Sequence, residues 1–373
     1  MRVRSMLALT SGLVLVLAGC GANQASETPE DTGSTGGGAA DTGLVVGVIL
    51  PDTESSARWE GFDKPYLESA FAEAGVEADV QNAQGDIQRF STIADQMIQR
   101  GVDVLALTNL SNESGAAVQQ RAEAAGIPTI DYDRLTLGGN AQYYVSFDNT
   151  QVGRLQGEGL VECLGDQSGA QIIEIQGSPT DSNATLFQEG QREILQPLYD
   201  SGEYELVQSQ PIDQWENQVG GRTFQQILTS NGGEVDGVVA ANDGLAGAVI
   251  TVLQQAGLAG EVPVTGQDAS PEGLRSILLG DQCMTVYKPV FTEAQALVDL
   301  AVPLAQGDTE AADALASDVS TDTEGDREVA SVLLDPVLVT SENVQQVVDD
   351  EWVSVEDLCA GEVADACSEQ GIS

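Results

Sequence analysis

Acids, amides and cations recur just past the ends of the strand-like segments of this chain. Asp133 and Arg134 follow residues 127–130, Asp181 and Asn183 follow 172–175, Asn242 and Asp243 follow 238–239, Asp268 follows Val264, and Lys288 follows 284–287. Carboxylates and amides can engage two adjacent hydroxyls at once, while Arg and Lys supply donors of fixed charge. Two tryptophans join this set, Trp59 within Ser56-Ala57-Arg58-Trp59-Glu60 and Trp215 within Asp213-Gln214-Trp215-Glu216. Neither lies on an apolar face, and a rigid ring beside hydrogen-bonding groups suits the C–H face of a polyhydroxylated ring. The chain has no histidine. That removes Ser-His-Asp triads, Cys-His pairs, imidazole acid/base chemistry and His-ligated metals.

Any one of these polar residues is also an ordinary helix cap or turn residue, since Asp, Asn and Ser are favoured there. Capping does not call for Arg134 or Lys288. The elements that would position them form an alternation. Residues 44–50, 102–107, 172–175, 235–241 and 262–266 are short apolar runs of buried parallel strands, and between them lie stretches of helical period. In 244–255, for example, Leu245, Val249, Val252 and Leu253 share one helix face. Some ten strand candidates exceed one compact sheet, so the expected fold is α/β, with two doubly wound, Rossmann-like parallel-sheet lobes. Ligands of such sheets sit beyond the carboxyl ends of the strands, where the polar residues collect. The chain is expected to cross between lobes near 146–150, 288–291 and 318–329.

The 373 residues carry 14 Lys+Arg against 59 Asp+Glu, a formal charge of −45. Phosphate backbones and anionic lipid surfaces are bound through Lys and Arg, so no nucleic-acid partner is expected. Residues 1–19 read as a signal peptide: two arginines, a short apolar stretch, then Leu17-Ala18-Gly19 before Cys20. The stretch is shorter than the ~20 residues that span a bilayer. The pattern predicts lipidation of Cys20, followed by a Gly/Ser/Thr-rich tether over 20–43 and extracytoplasmic attachment to the outer face of the cytoplasmic membrane through lipid only. Four further cysteines, Cys163, Cys283, Cys359 and Cys367, suggest two disulfides. Sequence alone leaves three connectivities; the closeness of Cys359 to Cys367 favours that pair and leaves Cys163 for Cys283. No CxxC pair supports zinc. The acids Asp318, Asp322, Glu324 and Asp326 match no EF-hand loop, so no metal and no cofactor are expected. A surface so negative predicts salt tolerance, with a melting temperature that climbs from low to molar salt; a flat response would point to compositional drift instead.

An ordered set of motifs carries a resemblance. Tyr132-Asp133-Arg134, Tyr144-Val145-Ser146-Phe147-Asp148-Asn149, Gly177-Ser178-Pro179-Thr180-Asp181-Ser182-Asn183-Ala184, Asn242-Asp243, Gly266-Gln267-Asp268 and Thr285-Val286-Tyr287-Lys288-Pro289 occur in this order. Over residues 44–345 the chain resembles the xylose-binding proteins of bacterial ABC importers, within the type I periplasmic sugar-binding superfamily. The resemblance implies lobes over 44–147 plus 290–325 and 148–289 plus 326–350, joined by a three-strand hinge, with 351–373 as a tail outside it. It implies that Trp59 and Trp215 take the two faces of one pyranose, with Arg58 beside the first. Asp133 and Arg134 would bind hydroxyls from the first lobe, Asp181, Asn183, Asn242 and Asp268 from the second, and Lys288 at the crossing back. Ser182 departs from the pattern, which carries a second amide there. A monosaccharide ligand, xylose first, permease subunits as partners, and a monomeric binding protein without enzymatic activity follow as expectations. The rivals are a sugar-sensing lipoprotein serving a receptor and a glycoside hydrolase, which needs only paired carboxylates.

Overall fold

The computed structural model describes residues 42–373. The signal peptide, Cys20 and the tether through residue 41 lie outside the described residues. The first lobe opens with β1 (Val45–Leu50), α1 (Lys64–Glu73), β2 (Glu77–Asn82), α2 (Ile87–Arg100), β3 (Val104–Leu107), α3 (Asn112–Ala124), β4 (Thr129–Tyr132) and β5 (Tyr143–Phe147). The second follows with α4 (Asn149–Leu164), β6 (Ala170–Gln176), α5 (Ser182–Ser201), β7 (Tyr204–Pro211), α6 (Asn217–Ser230), β8 (Gly237–Ala240), α7 (Asp243–Ala256), α8 (Pro271–Leu279) and β9 (Thr285–Tyr287). The chain then returns through α9 (Val290–Ala305), α10 (Thr309–Leu315), β10 (Asp318–Asp322), β11 (Arg327–Leu334), β12 (Val337–Val339), α11 (Val344–Asp349), α12 (Val355–Leu358) and α13 (Ala364–Gln370).

Local chemistry sets these boundaries. The run VVGVIL of β1 is buried along nearly its whole length, as a strand covered on both faces must be. In α2, Phe90, Ile93, Ala94 and Met97 form the buried stripe at helical spacing. Its Asp86 cap accepts the N–H groups of Gln88 and Arg89, and Gly101 ends it in the left-handed conformation.

The first sheet has the order β10-β11-β5-β4-β3-β1-β2, parallel except where β10 pairs antiparallel with β11. Its first five strands therefore run 2-1-3-4-5, with the order reversing between β1 and β3. Ligands of doubly wound sheets bind outside such a reversal. The second sheet begins β7-β6-β8, the same 2-1-3 arrangement. Its fourth position, expected as a strand over 262–266, is a single parallel bridge between Val238 and Val264. Pro263 has no N–H to give, and the N–H of Ala240 donates to the Thr265 hydroxyl at 3.0 Å instead of to a backbone carbonyl. Beyond it, Cys283 N–H reaches Val264 O at 3.0 Å and Asp268 N–H reaches Val286 O at 2.8 Å, so β9 completes the order 2-1-3-4-5 with β12 antiparallel at its side.

Two crossings fall where expected, at Asp148 between β5 and α4 and at Lys288-Pro289 between β9 and α9. The third does not. Since β11 pairs with β5 and β12 with β9, the chain changes sheets at Asp335-Pro336, and 327–334 belongs with the first lobe. Residues 318–329 form an edge hairpin whose outward acids suit an exposed strand. Within it Asp322 is fully buried, accepting from the N–H groups of Gly138, Glu324 and Gly325 and lying 3.1 Å from Arg327 Nε. That carboxylate is a turn clamp, and among the described residues no acidic or sulfur cluster is placed to hold a metal ion.

Disulfides join Cys163 to Cys283 and Cys359 to Cys367. The first ties α4 to the segment entering β9 and closes a 120-residue separation. Residues 351–373 are not a solvated tail: Trp352, Leu358, Val363, Cys367 and Ile372 are buried against α8 and the return strands.

Candidate functional site

All ten residues expected in the site line one cleft between the lobes: Arg58, Trp59, Asp133, Arg134, Asp181, Asn183, Trp215, Asn242, Asp268 and Lys288. Arg58 caps and Trp59 opens the π-helical segment Trp59–Asp63 that leads from β1 into α1, and Asp133 and Arg134 lie directly after β4. From the other side, Asp181 caps α5, Asn183 lies in its first turn, Trp215 ends a short 3-10 turn after β7, and Asn242 caps α7. Lys288 leaves β9 at the crossing.

The two lobes present this lining in parallel ways. Asp133 follows the fourth strand of the first sheet at φ 64°, and Asp268 follows the fourth position of the second at φ 101°. Both are non-glycine residues held in the left-handed region, a strain that tends to cluster at binding sites. Lys288 Nζ stands between them, 3.8 Å from Asp133 Oδ2 and 3.7 Å from Asp268 Oδ1. The indoles are held just as firmly. Trp59 Nε1–H donates to Ser55 Oγ at 3.1 Å, and Trp215 Nε1–H donates to Asp181 Oδ2 at 3.0 Å. Arg58 lies 4.5 Å from the Trp59 ring centroid and Arg134 5.4 Å, so cations stack on that indole. Glycine is required at Gly177, where a Cβ would sit 2.1 Å from the Trp215 ring.

Arg58 is the fixed centre of the first lobe's charges. It donates from Nε and Nη2 to both oxygens of Asp63 at 2.8 and 2.7 Å, from Nη1 to Asp133 at 2.7 Å, and from Nη2 to Glu293 at 2.5 Å. Burial works against the guanidinium's charge, but the three carboxylates outweigh it and raise its pKa well above the ordinary value. Burial likewise pushes Asp133 up, yet Arg58, Lys288 and Arg134 together bring it below the usual carboxylate range. Asp181 and Asp268 are raised, chiefly by burial, and Glu293 is pushed up to about 8 by burial despite Arg58. The Asp133–Arg58 pair is thus charged, while burial favours the protonated form of Glu293 against the pull of Arg58.

Contacts cross the cleft directly. Ser56 Oγ donates to Asp268 at 3.0 Å, Asn242 Nδ2 to Ser55 O at 3.1 Å, and Asn183 Nδ2 to Asp133 O at 2.9 Å. Arg134 Nε lies 2.9 Å from Asp181 Oδ2 without the alignment of a hydrogen bond. It and Gln267 Oε1 are buried polar atoms of the cleft lining with no hydrogen-bond partner. The free volume among these side chains is about 30 Å³, roughly one water molecule's share. A wider outer cleft of about 820 Å³ adjoins it and shares Arg134, Asp181 and Trp215.

Four further residues line the inner cleft, Ser55, Ser56, Phe187 and Gln267. Phe187 was legible as the residue one helical turn beyond Asn183, and Gln267 as the partner of Asp268. Glu293 and Asp63 support Arg58 from behind; the available signal for Glu293 was a lone acid on the apolar face of α9. Asp243 goes elsewhere. It accepts from Gln282 and Thr285 at 2.8 Å and from Ser270 N–H at 2.7 Å, pinning the segment after β8, and burial pushes it up to about 7.

Known proteins share this arrangement. A family profile described as periplasmic binding protein domain matches residues 46–309. The D-xylose-binding periplasmic protein of Escherichia coli K12 is 34% identical over 305 residues, 82% of this chain and 89% of the relative. The multiple sugar-binding periplasmic receptor ChvE of Rhizobium radiobacter is 32% identical over 325 residues, 83% of this chain and 90% of that protein. The crystal structure of an ABC transporter solute-binding protein from Clostridium phytofermentans, with bound β-D-glucose, superposes with a TM-score of 0.77 at 27% identity, covering 84% of this chain and 99% of that one. Two doubly wound sheets facing across a polar cleft, matched by a family profile and by relatives over most of the chain, place this protein in the periplasmic binding protein family with the type I fold.

Proposed function

We propose that this protein is the solute-binding component of an ABC sugar importer, binding one monosaccharide between its lobes and delivering it to the permease. The observation that carries the reading is the pair of indoles from opposite lobes, each fixed through its N–H beside carboxylates and cations of one cleft. Buried polar atoms without a hydrogen-bond partner, Arg134 Nε and Gln267 Oε1, supply a donor and an acceptor of the kind sugar hydroxyls satisfy. Leaving a desolvated hydroxyl unpaired costs ~1 to 3 kcal/mol, which is how dense pairing separates epimers.

The roughly 30 Å³ of the inner cleft is far below the ~300 Å³ of an ordinary ligand pocket. A sugar therefore enters by parting of the lobes, and the three crossings at Asp148, Lys288-Pro289 and Asp335-Pro336 are where the backbone must bend. Closing then depends on contacts that differ between open and closed states. D-Xylose is the first candidate, supported by the relatives named for it. Glucose, arabinose and galactose follow; the solved relative with bound β-D-glucose supports glucose among them. The lipid on Cys20 would hold the protein at the outer face of the cytoplasmic membrane. A receptor-linked sensor using the same cleft is the second reading, favoured by the relative named as a receptor.

Calorimetric titration against a panel of pentoses and hexoses tests the proposal. One saturable site with a preference among epimers is expected, together with no release of nitrophenol from nitrophenyl glycosides. Turnover of those glycosides would replace binding with hydrolysis.

A further inference from the structure

The segment after β12 carries a tryptophan that bears on both lobes. Trp352 is 4% exposed, although its neighbours Asp349, Asp350 and Glu351 are acidic. Its ring stacks on Phe62 with centroids 3.7 Å apart and planes 17° apart, and meets Tyr287 edge-on at 5.8 Å. Its Nε1–H donates to Ala269 O at 2.8 Å. Each partner is the chain neighbour of a residue that lines the cleft or holds one that does. Phe62 precedes Asp63, the two-point acceptor of Arg58; Ala269 follows Asp268; Tyr287 precedes Lys288.

Phe62 belongs to the first lobe and Ala269 to the second, so one indole spans the joint. The peptide it holds is strained, with Asp268 at φ 101° and Ala269 at φ 49°, and such a turn needs outside contacts to stay fixed. The rest of the segment is well anchored. Arg275 of α8 donates to the carbonyls of Asp357, Leu358 and Ala360 at 3.2, 2.8 and 2.9 Å, and Leu358 and Cys367 are buried beside it.

We infer that Trp352 is a positioning residue for the cleft: it fixes the Asp268-Ala269 turn against the Arg58-bearing turn and so favours the closed arrangement of the lobes. This rests on the reading of the cleft as a sugar site. As the lobes part, Phe62 and Ala269 move relative to each other, and the indole cannot keep both contacts. Closure and the C-terminal segment are thereby coupled.

Three variants separate positioning from mere stabilisation. Trp352→Ala removes both contacts, Trp352→Phe keeps a ring and loses the N–H, and Leu358→Ala weakens the same segment away from the cleft. Titration with D-xylose should show binding roughly tenfold weaker and dissociation faster for Trp352→Ala. Trp352→Phe should lose about fivefold. Leu358→Ala should lower the melting temperature with affinity unchanged. Small-angle scattering without sugar should give a larger radius of gyration for Trp352→Ala than for the wild type. Wild-type affinity and scattering in Trp352→Ala would overturn the inference, as would equal weakening in Leu358→Ala. If the wild-type protein takes up no pentose or hexose, the cleft reading fails by itself, and the scattering comparison still decides: a wider variant supports the coupling, an unchanged one rejects it.

Discussion

The two lobes share the strand order 2-1-3-4-5 but build its fourth position differently. In the first, β4 is a full strand paired on both sides, and Asp133 turns off its end. In the second, one bridge at Val264 takes its place, with the Thr265 hydroxyl accepting the N–H that a ladder would have used. The charges differ as well. The first lobe contributes Arg58 and Arg134, the second acids, amides and the rings of Phe187 and Trp215 but no cation, with Lys288 between them. One lobe thus places both of the cleft's guanidiniums on segments that lead off its sheet strands. The other presents acceptors from segments held by side chains, Asp243, Thr265 and Trp352 among them.

That contrast can be broken at its strongest point first. Arg58 is buried among three carboxylates, so Arg58→Met leaves acids without their counter-charge; a loss of ~3 to 5 kcal/mol in stability is expected by denaturant unfolding. Arg134→Met should cost less stability than Arg58→Met and weaken sugar binding, because Arg134 has one charged partner, Asp181, where Arg58 has three. Next, Thr265→Val removes the acceptor for Ala240 N–H and should cost ~1 to 3 kcal/mol, with faster amide exchange at Ala240 and none of that change at β4.

A smaller effect concerns pH. Glu293 titrates near 4.5 when unfolded and about 8 when folded, so the folded state binds the extra proton between those values. Its contribution is complete below pH 4.5 and is lost as pH rises through about 8. Melting temperature should therefore decline from pH 5 to 8 more steeply in the wild type than in Glu293→Gln; parallel curves would remove Glu293 from the account.

Much of this was legible in the sequence because parallel strands covered on both faces read as unbroken apolar runs, and residues past their ends are exposed to whatever the sheet binds. The ten cleft residues were found that way and through the motif resemblance. What was not legible depended on tertiary contacts. The edge hairpin over 318–329 was expected as a crossing between lobes, because outward acids hide its strand pattern, and the third crossing lies beyond it at Asp335-Pro336. Trp352 sits in an acidic window that conceals a burial made by Phe62, Tyr287 and Ala269, and the missing fourth strand turned on Pro263 and one threonine hydroxyl.

In the proposed site, opposed indoles hold a single sugar. Calorimetric titration of D-xylose into the wild-type protein, Trp59→Ala and Trp215→Ala tests it most directly. One saturable site is expected in the wild type, with affinity lower by at least ~30-fold in each variant and both variants folded. Wild-type affinity in both variants would contradict it.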